Sequence, residues 1–309
     1  MQFPPFLQAG DTIGITCPSG FLPFSKTVFA KQTLMEWGFK IFTGATVGRE
    51  YFYFSDTDER RLADLQAQLD DPEIKAIMMG RGGYGMSRII DDLDFTKFRK
   101  NPKWIIGFSD ITVLHSHIQS NFGIATLHGP MCGAFKGIQP EPTHLIALKK
   151  ALTGEAIEYP VPLSAYNRSG MASGILIGGN LAILAHLTGS VSQLNTEGKI
   201  LFIEDIGEYL YNVDRMLLNL KRAGMLDNLA GLVCGGFTDL LDTERPFGKD
   251  IQALIMDIVK EYDYPVCFDF PAGHLAINYT LCLGKAYELT VAEQNVQLRE
   301  SACPKEQRL

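Results

Sequence analysis

The chain has 309 residues, 46% hydrophobic and 20% charged, with a formal charge of −7. That balance is an ordinary globular one and excludes a disordered or fibrous chain. The acidic charge and the lack of any basic run exclude a nucleic-acid binder, which needs Lys and Arg gathered on one face to neutralise phosphates.

At roughly 100–200 residues per domain, two domains are the natural expectation, with one long α/β domain as the alternative. The start, Met1-Gln2-Phe3-Pro4-Pro5-Phe6, carries no positive n-region and no apolar stretch of signal-peptide length. No window approaches the ~20 apolar residues needed to span a bilayer. Six cysteines lie at 17, 132, 234, 267, 282 and 303 without a Cys-x-x-Cys pair, five of them in or beside apolar runs. They read as buried thiols of a reducing compartment, so a cytoplasmic protein with no membrane partner is expected.

In the first half, short apolar runs predict strands over Thr12–Cys17, Phe39–Thr43, Ala76–Met79, Trp104–Gly107 and Ile124–His128. Between them, Leu62, Leu65 and Leu69 at helical spacing predict a helix over Asp58–Asp70, and Ile111–Phe122 is a second. Alternation of this kind predicts a mostly parallel sheet flanked by helices. Around residues 152–173 the periodicity fades into Thr153-Gly154-Glu155, Tyr159-Pro160-Val161-Pro162 and Asn167-Arg168-Ser169-Gly170, a linker composition. The expected domains are therefore 1–152 and 174–309, joined by 153–173.

The second half predicts strands at Gly174–Gly178 and Lys199–Ile203, then a helix carrying Val213, Met216, Leu217 and Leu220. A strand at Ala230–Cys234, a helix at Lys249–Tyr262, a strand at Val266–Phe270 and a last strand pair around Thr280–Val291 follow. The polar tail from Gln294 reads as peripheral.

Four places can carry chemistry. Ser109, in Gly107-Phe108-Ser109-Asp110, follows an apolar strand and precedes a helix, so its hydroxyl projects at the carboxyl edge where open α/β sheets bind ligands. Helix-start amides from Asp110 onward are suited to stabilising a negative oxygen. The same Ser-Asp also reads as a helix N-cap, and Ile111 stands where a Gly-x-Ser-x-Gly elbow has its second glycine. Gly80-Arg81-Gly82-Gly83-Tyr84-Gly85 formally satisfies Gly-x-Gly-x-x-Gly, but it does not follow the first strand and no acidic residue lies ~20 residues on. Its glycines instead allow a backbone to approach a substrate, with Gly82 or Gly83 as the second oxyanion donor. Arg81 is the candidate for a substrate carboxylate, and Tyr84 lies beside it as a further substrate-binding candidate.

Glu204-Asp205 ends the apolar run Ile200-Leu201-Phe202-Ile203, and a buried glutamate there needs a partner such as a histidine ring N–H. His274, in Phe270-Pro271-Ala272-Gly273-His274, sits in a glycine-flanked loop beyond a strand, a better place for proton transfer than a helix interior. His115 and His117 are two residues apart on one helix and point in different directions, so they share no metal. His186 lies in an apolar helical stretch and His144 beside a proline, and no metal site emerges.

Taken with Gly10-Asp11-Thr12-Ile13, Gly178-Gly179-Asn180-Leu181 and Asp214-Arg215-Met216-Leu217, these segments in this order resemble the LD-carboxypeptidase family of serine peptidases. The resemblance implies α/β architecture: a flavodoxin-like N-terminal domain with a parallel sheet, plus a smaller C-terminal α/β domain. It implies a triad of Ser109, Glu204 and His274 assembling across the two domains, with an oxyanion hole from the Asp110 amide and a glycine amide of the Gly-rich loop. The implied reaction is hydrolysis of the bond between an L-centre diamino acid and terminal D-alanine of murein tetrapeptides, with no cofactor or metal, in a cytoplasmic homodimer.

One branch of the family cleaves peptidyl-nucleotide antibiotics of the microcin type. It calls for an exposed tryptophan after the glutamate, where this chain has Glu208-Tyr209-Leu210-Tyr211; its tryptophans are Trp37 and Trp104. The murein enzyme is therefore the main expectation. A nucleotide-binding oxidoreductase fails on the context of Gly80–Gly85, and a non-catalytic binding module is at odds with a complete set of triad residues.

Overall fold

A computed structural model describes residues 1–301, so Cys303 and the last residues of the second expected domain lie outside the described residues. The elements in chain order are β1 (Thr12–Thr16), α1 (Val28–Glu36), β2 (Lys40–Thr43), α2 (Asp58–Asp70), β3 (Ile74–Met79), α3 (Thr96–Lys100), β4 (Trp104–Gly107), α4 (Thr112–Phe122), β5 (Thr126–His128) and α5 (Thr143–Thr153). They continue with β6 (Gly170–Asn180), α6 (Leu181–His186), β7 (Ile200–Ile206), α7 (Leu210–Arg222), β8 (Gly231–Thr238), α8 (Ile251–Ile258), β9 (Val266–Cys267), β10 (Leu281–Leu283), β11 (Ala286–Ala292) and β12 (Asn295–Glu300). Two compact units result, Met1–Glu155 with Asn278–Cys282, and Ala156–Ile277 with Leu283 onward.

In the first unit the sheet runs β2-β1-β3-β4-β5, with β10 added beyond β5. Its pairs from β2 to β5 are all parallel, the doubly wound, flavodoxin-like order expected. In this order the crevice beyond the carboxyl ends of the strands, where the winding reverses between β1 and β3, is the ligand position. The Pro18-Ser19-Gly20 loop after β1, the Gly-rich loop after β3 and Ser109 after β4 all leave the sheet at that end. Runs such as Ile13-Gly14-Ile15-Thr16 and Trp104-Ile105-Ile106-Gly107 are fully buried, as strands covered on both faces must be.

α2 has the predicted span, and its buried face holds polar side chains besides leucines. Leu65 and Leu69 are buried together with Arg61, Asp64 and Gln68, while Leu62 is only half-buried. The polar side chains turn inward because backbone there needs partners: Asp64 accepts from the Thr16 hydroxyl at 2.7 Å and the Ala45 amide at 2.9 Å, and Gln68 donates to the Ile15 carbonyl.

The second sheet is ordered β12-β11-β6-β7-β8-β9. β6 to β9 are parallel, while β11 joins β6 and β12 joins β11 antiparallel. Val213, Leu217 and Leu220 of α7 are buried in its core with Leu201, Ile203 and Leu232, and Met216 packs against them half-buried. Several expectations change. Gly170–Ser173, read as linker, are already strand, where the hydrogen bonding of β11 to β6 extends the edge. The expected pair around Thr280–Val291 is split: β10, all apolar and buried, joins the first sheet, and β11 pairs with β12. The segment after Gln294 is thus a paired strand with Val296 and Leu298 buried, not a peripheral tail. α8 is shorter than the helix expected over Lys249–Tyr262. It starts after Asp250, whose carboxylate caps it by accepting the Ala253 amide at 2.8 Å, and it ends at Ile258.

Cys17, Cys132, Cys234, Cys267 and Cys282 are all buried thiols, as their apolar settings predict. No helix among the described residues is long and apolar enough to cross a membrane.

Candidate active site

Ser109 stands directly beyond β4 with φ +65°, half-buried. The left-handed region costs an L-residue ~1–2 kcal/mol, so a serine held there is a strained elbow and more than a helix cap. No side chain caps the turn that starts at Ser109. Where a second glycine is missing, Ile111 packs its side chain over Gly107. The carbonyl of Gly107 is fixed by the His115 ring, whose Nε2–H donates to it at 2.9 Å. Burial drives the His115 pKa down to about 4, against the pull of that bond, so the ring is a neutral brace for the Gly107 carbonyl.

Asp110 is buried, and its carboxylate accepts the Ser19 hydroxyl at 2.6 Å and the Met86 amide at 2.8 Å. It therefore ties the loops after β1 and β3 to the elbow. The Gly20 N–H donates to the Gly82 carbonyl at 3.0 Å, continuing the same seam. Gly82 lies so close to the nucleophile that a Cβ on it would sit 3.0 Å from Ser109 Cβ and 3.2 Å from Oγ. Any side chain here would crowd the hydroxyl. Arg81 is exposed and spends Nη1 on the Phe21 carbonyl at 3.0 Å, which braces the loop. Tyr84 is exposed beside Phe54, ring centroids 6.0 Å apart.

In the second unit, Glu204 on β7 is 0% exposed and its Oε2 accepts both the His274 Nδ1–H at 2.6 Å and the His274 backbone N–H at 3.1 Å. A carboxylate on Nδ1 keeps the neutral ring's proton there and leaves Nε2 as the acceptor. The Thr238 hydroxyl holds the His274 carbonyl at 3.0 Å, and the Gly236 amide holds that of Ala272 at 3.0 Å. Burial alone would lower the His274 pKa; the hydrogen bond and charge of Glu204, with the charge of Asp205, outweigh it and hold the ring above its ordinary value.

Asp205 is buried beside it, which the slip in register between β7 and β8 at Ile203/Asp205 accommodates. It accepts the Asn180 side-chain amide at 2.9 Å and the Ile206 and Ala182 backbone amides at 2.8 and 2.9 Å. Burial nevertheless raises its pKa to about 6.

Among the sequence candidates, Ser109, Asp110, Gly82, Gly83, Arg81 and Tyr84 thus belong to the first unit, and Glu204 and His274 form a direct pair in the second. Sequence reasoning passed over Ser19, Arg61 and Thr238; only the position of Pro18-Ser19-Gly20 at a strand's carboxyl end marks the first of them. Among the described residues no group of three or more His, Cys, Asp or Glu side chains is arranged to hold a metal ion.

The first unit thus holds a serine on a left-handed turn beyond a parallel strand, and the second a histidine oriented by a buried glutamate. Comparison with known proteins gives the family: residues 13–129 match the LD-carboxypeptidase N-terminal domain and residues 173–289 the LD-carboxypeptidase C-terminal domain. The chain belongs to the LD-carboxypeptidase family, a family of serine carboxypeptidases.

It is 33% identical over 94% of its length to the probable murein peptide carboxypeptidase of Bacillus subtilis, covering 92% of that protein. It is 31% identical over 78% of its length to the murein tetrapeptide carboxypeptidase of Pseudomonas aeruginosa, covering 81% of it. The crystal structure of muramoyltetrapeptide carboxypeptidase from Oxalobacter formigenes superposes with a TM-score of 0.84 at 30% identity, covering 95% of this chain and 99% of that one. The microcin C7 self-immunity protein MccF of Escherichia coli is 26% identical over 95% of this chain and 94% of its own.

Proposed function

We propose that this protein is a serine-type LD-carboxypeptidase that releases terminal D-alanine from murein tetrapeptides, with Ser109, Glu204 and His274 as its triad. The observation that carries the reading is the 2.6 Å bond from His274 Nδ1 to the fully buried Glu204, which fixes the neutral ring's proton on Nδ1 and makes Nε2 the basic nitrogen. The names of the Bacillus subtilis and Pseudomonas aeruginosa relatives supply the substrate class.

In this reading Ser109 Oγ adds to the carbonyl carbon of the L-centre diamino acid as its proton passes to His274 Nε2. The Asp110 amide and an amide of Gly82 or Gly83 receive the oxyanion. Collapse breaks the C–N bond, His274 protonates the leaving D-alanine amine, and water then hydrolyses the acyl ester by the same proton route. Glu204 orients His274 and stabilises its charged form. Arg81 has N–H groups beyond the one given to Phe21 and is the candidate cation for the terminal carboxylate, with Tyr84 of the same loop as a further substrate-binding candidate.

The test is mass-spectrometric detection of D-alanine released from a murein tetrapeptide. Ser109→Ala should abolish release with an unchanged circular-dichroism spectrum; full activity in that variant overturns the assignment. The reading also carries a cytoplasmic homodimer, which sedimentation and cell fractionation test.

A second reading, a microcin-immunity peptidase, is favoured by the likeness to MccF and by one feature of the chain. Tyr209 and Tyr211 stack on each other at 5.4 Å, partly exposed, shortly after Glu204, and aromatic faces of this kind can receive a nucleobase. Trp104 is buried and Trp37 donates to Glu141, so neither fills that role. Parallel assays on tetrapeptide and on a processed microcin separate the readings.

A further inference from the structure

We infer that Arg61 is a positioning residue for the oxyanion hole: together with Asp110 it grips the Gly85–Met86 peptide unit from both ends and so sets the Gly-rich loop against Ser109. The inference rests on the reading above that amides of Asp110 and of Gly82 or Gly83 receive the oxyanion.

Arg61 lies on α2 and is 0% exposed. A guanidinium is tolerated in such a place only when its charge and donors are matched. Its Nη1 donates to the carbonyls of Pro18 and, at 3.1 Å, Gly85; Nε donates to the Asp56 carbonyl at 3.2 Å; Nη2 pairs with Asp58. Phe54 lies under its plane, 4.8 Å from the ring centroid.

The geometry has a symmetry that a merely buried arginine does not require. The carbonyl of the Gly85–Met86 peptide faces Arg61, and the N–H of that same peptide faces the Asp110 carboxylate at 2.8 Å. Likewise the Pro18 carbonyl faces Arg61, while the hydroxyl of the next residue, Ser19, faces Asp110 at 2.6 Å. A cation and an anion are thus linked through one peptide dipole and one residue pair, each polarising the groups between them in the same sense. Gly85 is shaped for this contact: at φ +145°, a Cβ on it would lie 2.7 Å from Arg61 Nη1.

The anion end of the grip is the residue after the nucleophile, and the cation end holds the last residue of the Gly-rich loop. Loss of Arg61 frees that end to shift relative to Ser109 while every residue of the proposed triad stays unchanged. A lysine cannot replace a guanidinium that holds the Pro18 and Gly85 carbonyls with Nη1, the Asp56 carbonyl with Nε and Asp58 with Nη2 at once. A structural role alone would lower stability but leave the folded molecules with full turnover.

The experiment measures kcat and KM on murein tetrapeptide for Arg61→Lys and for Ser19→Ala, and the affinity of each for a peptide boronic acid that forms a tetrahedral adduct with Ser109. Arg61→Lys should lose about 10²-fold in kcat, the scale of one misplaced oxyanion donor, and a matching factor in boronate affinity, with KM near wild type. Ser19→Ala, a small change expected to fold, should move kcat and boronate affinity in the same direction, and it decides the matter should Arg61→Lys fail to fold. Wild-type kcat and boronate affinity in a folded Arg61→Lys or in Ser19→Ala overturn the inference, as does a change in KM alone. Ser109→Ala run alongside keeps the two claims apart: if it is inactive while Arg61→Lys is fully active, only the positioning role fails.

Discussion

Gly273→Ala puts the Glu204–His274 pair under direct test. Gly273 has φ +101°, and a Cβ there would lie 2.7 Å from the Cβ, Cγ and Oε2 of Glu204. The backbone conformation costs an alanine ~1–2 kcal/mol. Forcing a methyl into a filled site costs a further ~1–3 kcal/mol. If the fold absorbs both, the second unit loses about 2–5 kcal/mol, a large part of an ordinary domain's stability. If Glu204 yields instead, its 2.6 Å bond to His274 is lost, and misorientation of the proposed base should cost up to ~10⁴ in kcat. Thermal melts and D-alanine release measured together capture either route. Gly133→Ala is the control, since a Cβ there meets nothing within 4 Å, and it should stay within about 0.5 kcal/mol of wild type. A Gly273→Ala protein with unchanged melting and unchanged kcat/KM refutes the account of why glycine precedes the histidine.

In its proposed role as base His274 must be neutral to accept a proton, and its pKa is raised, so kcat/KM should fall on the acid side through a pKa above the ordinary histidine value of ~6.5. Glu204→Gln leaves burial as the dominant influence, so a pH series on that variant should show a lower plateau and an acid limb moved to lower pH; a limb that stays in place contradicts the pairing. The same raised pKa contributes stability that is full below the unfolded value and is lost as pH rises through the folded one, a trend urea titrations at several pH values should show in wild type and not in Glu204→Gln. Ser109→Gly should be inactive yet no less stable than wild type, because glycine relieves ~1–2 kcal/mol at φ +65° while adding ~0.5–1 kcal/mol of chain entropy; a clear drop in stability contradicts the strained elbow.

Much of the fold was legible because parallel strands buried on both faces read as short unbroken apolar runs. Trp104–Gly107 follows from that pattern, and the span of α2 from the helical spacing of Leu62, Leu65 and Leu69, without knowledge of neighbours. What periodicity does not carry is the destination of short strands. Leu281–Leu283 is equally apolar whichever sheet receives it, and the choice of the first sheet depends on edges far away in sequence. The polar part of the inward face of α2 is not legible for a related reason: nothing in the sequence marks Arg61 and Asp64 as buried until the backbone and side-chain groups that they satisfy are in place. For the proposed site, Ser109 and His274 stand out in the sequence by their place after strands, whereas Arg61 is tied in through hydrogen bonds to carbonyls, which leave no mark in the order of side chains.

The adjacent carboxylates of β7 show how one strand end serves two needs. Two buried anions in succession repel, and each must be compensated locally or take up a proton. Asp205 is compensated by neutral donors: the Asn180 amide and two backbone N–H groups, one of them at the start of α6. These partners offset only part of its burial, which is why its pKa reaches about 6. Glu204 meets a titratable partner instead, so compensation there appears as a raised pKa on His274. The charge of Asp205 works in the same direction on that ring. A more basic imidazole is a stronger proton acceptor but is neutral in a smaller fraction of molecules at a given pH. Burial of the ring, whose side chain is 15% exposed, limits that loss by opposing both carboxylates. The basicity of His274 is therefore a balance between desolvation and two neighbouring charges, and the strand that supplies the orienting carboxylate also supplies the second charge.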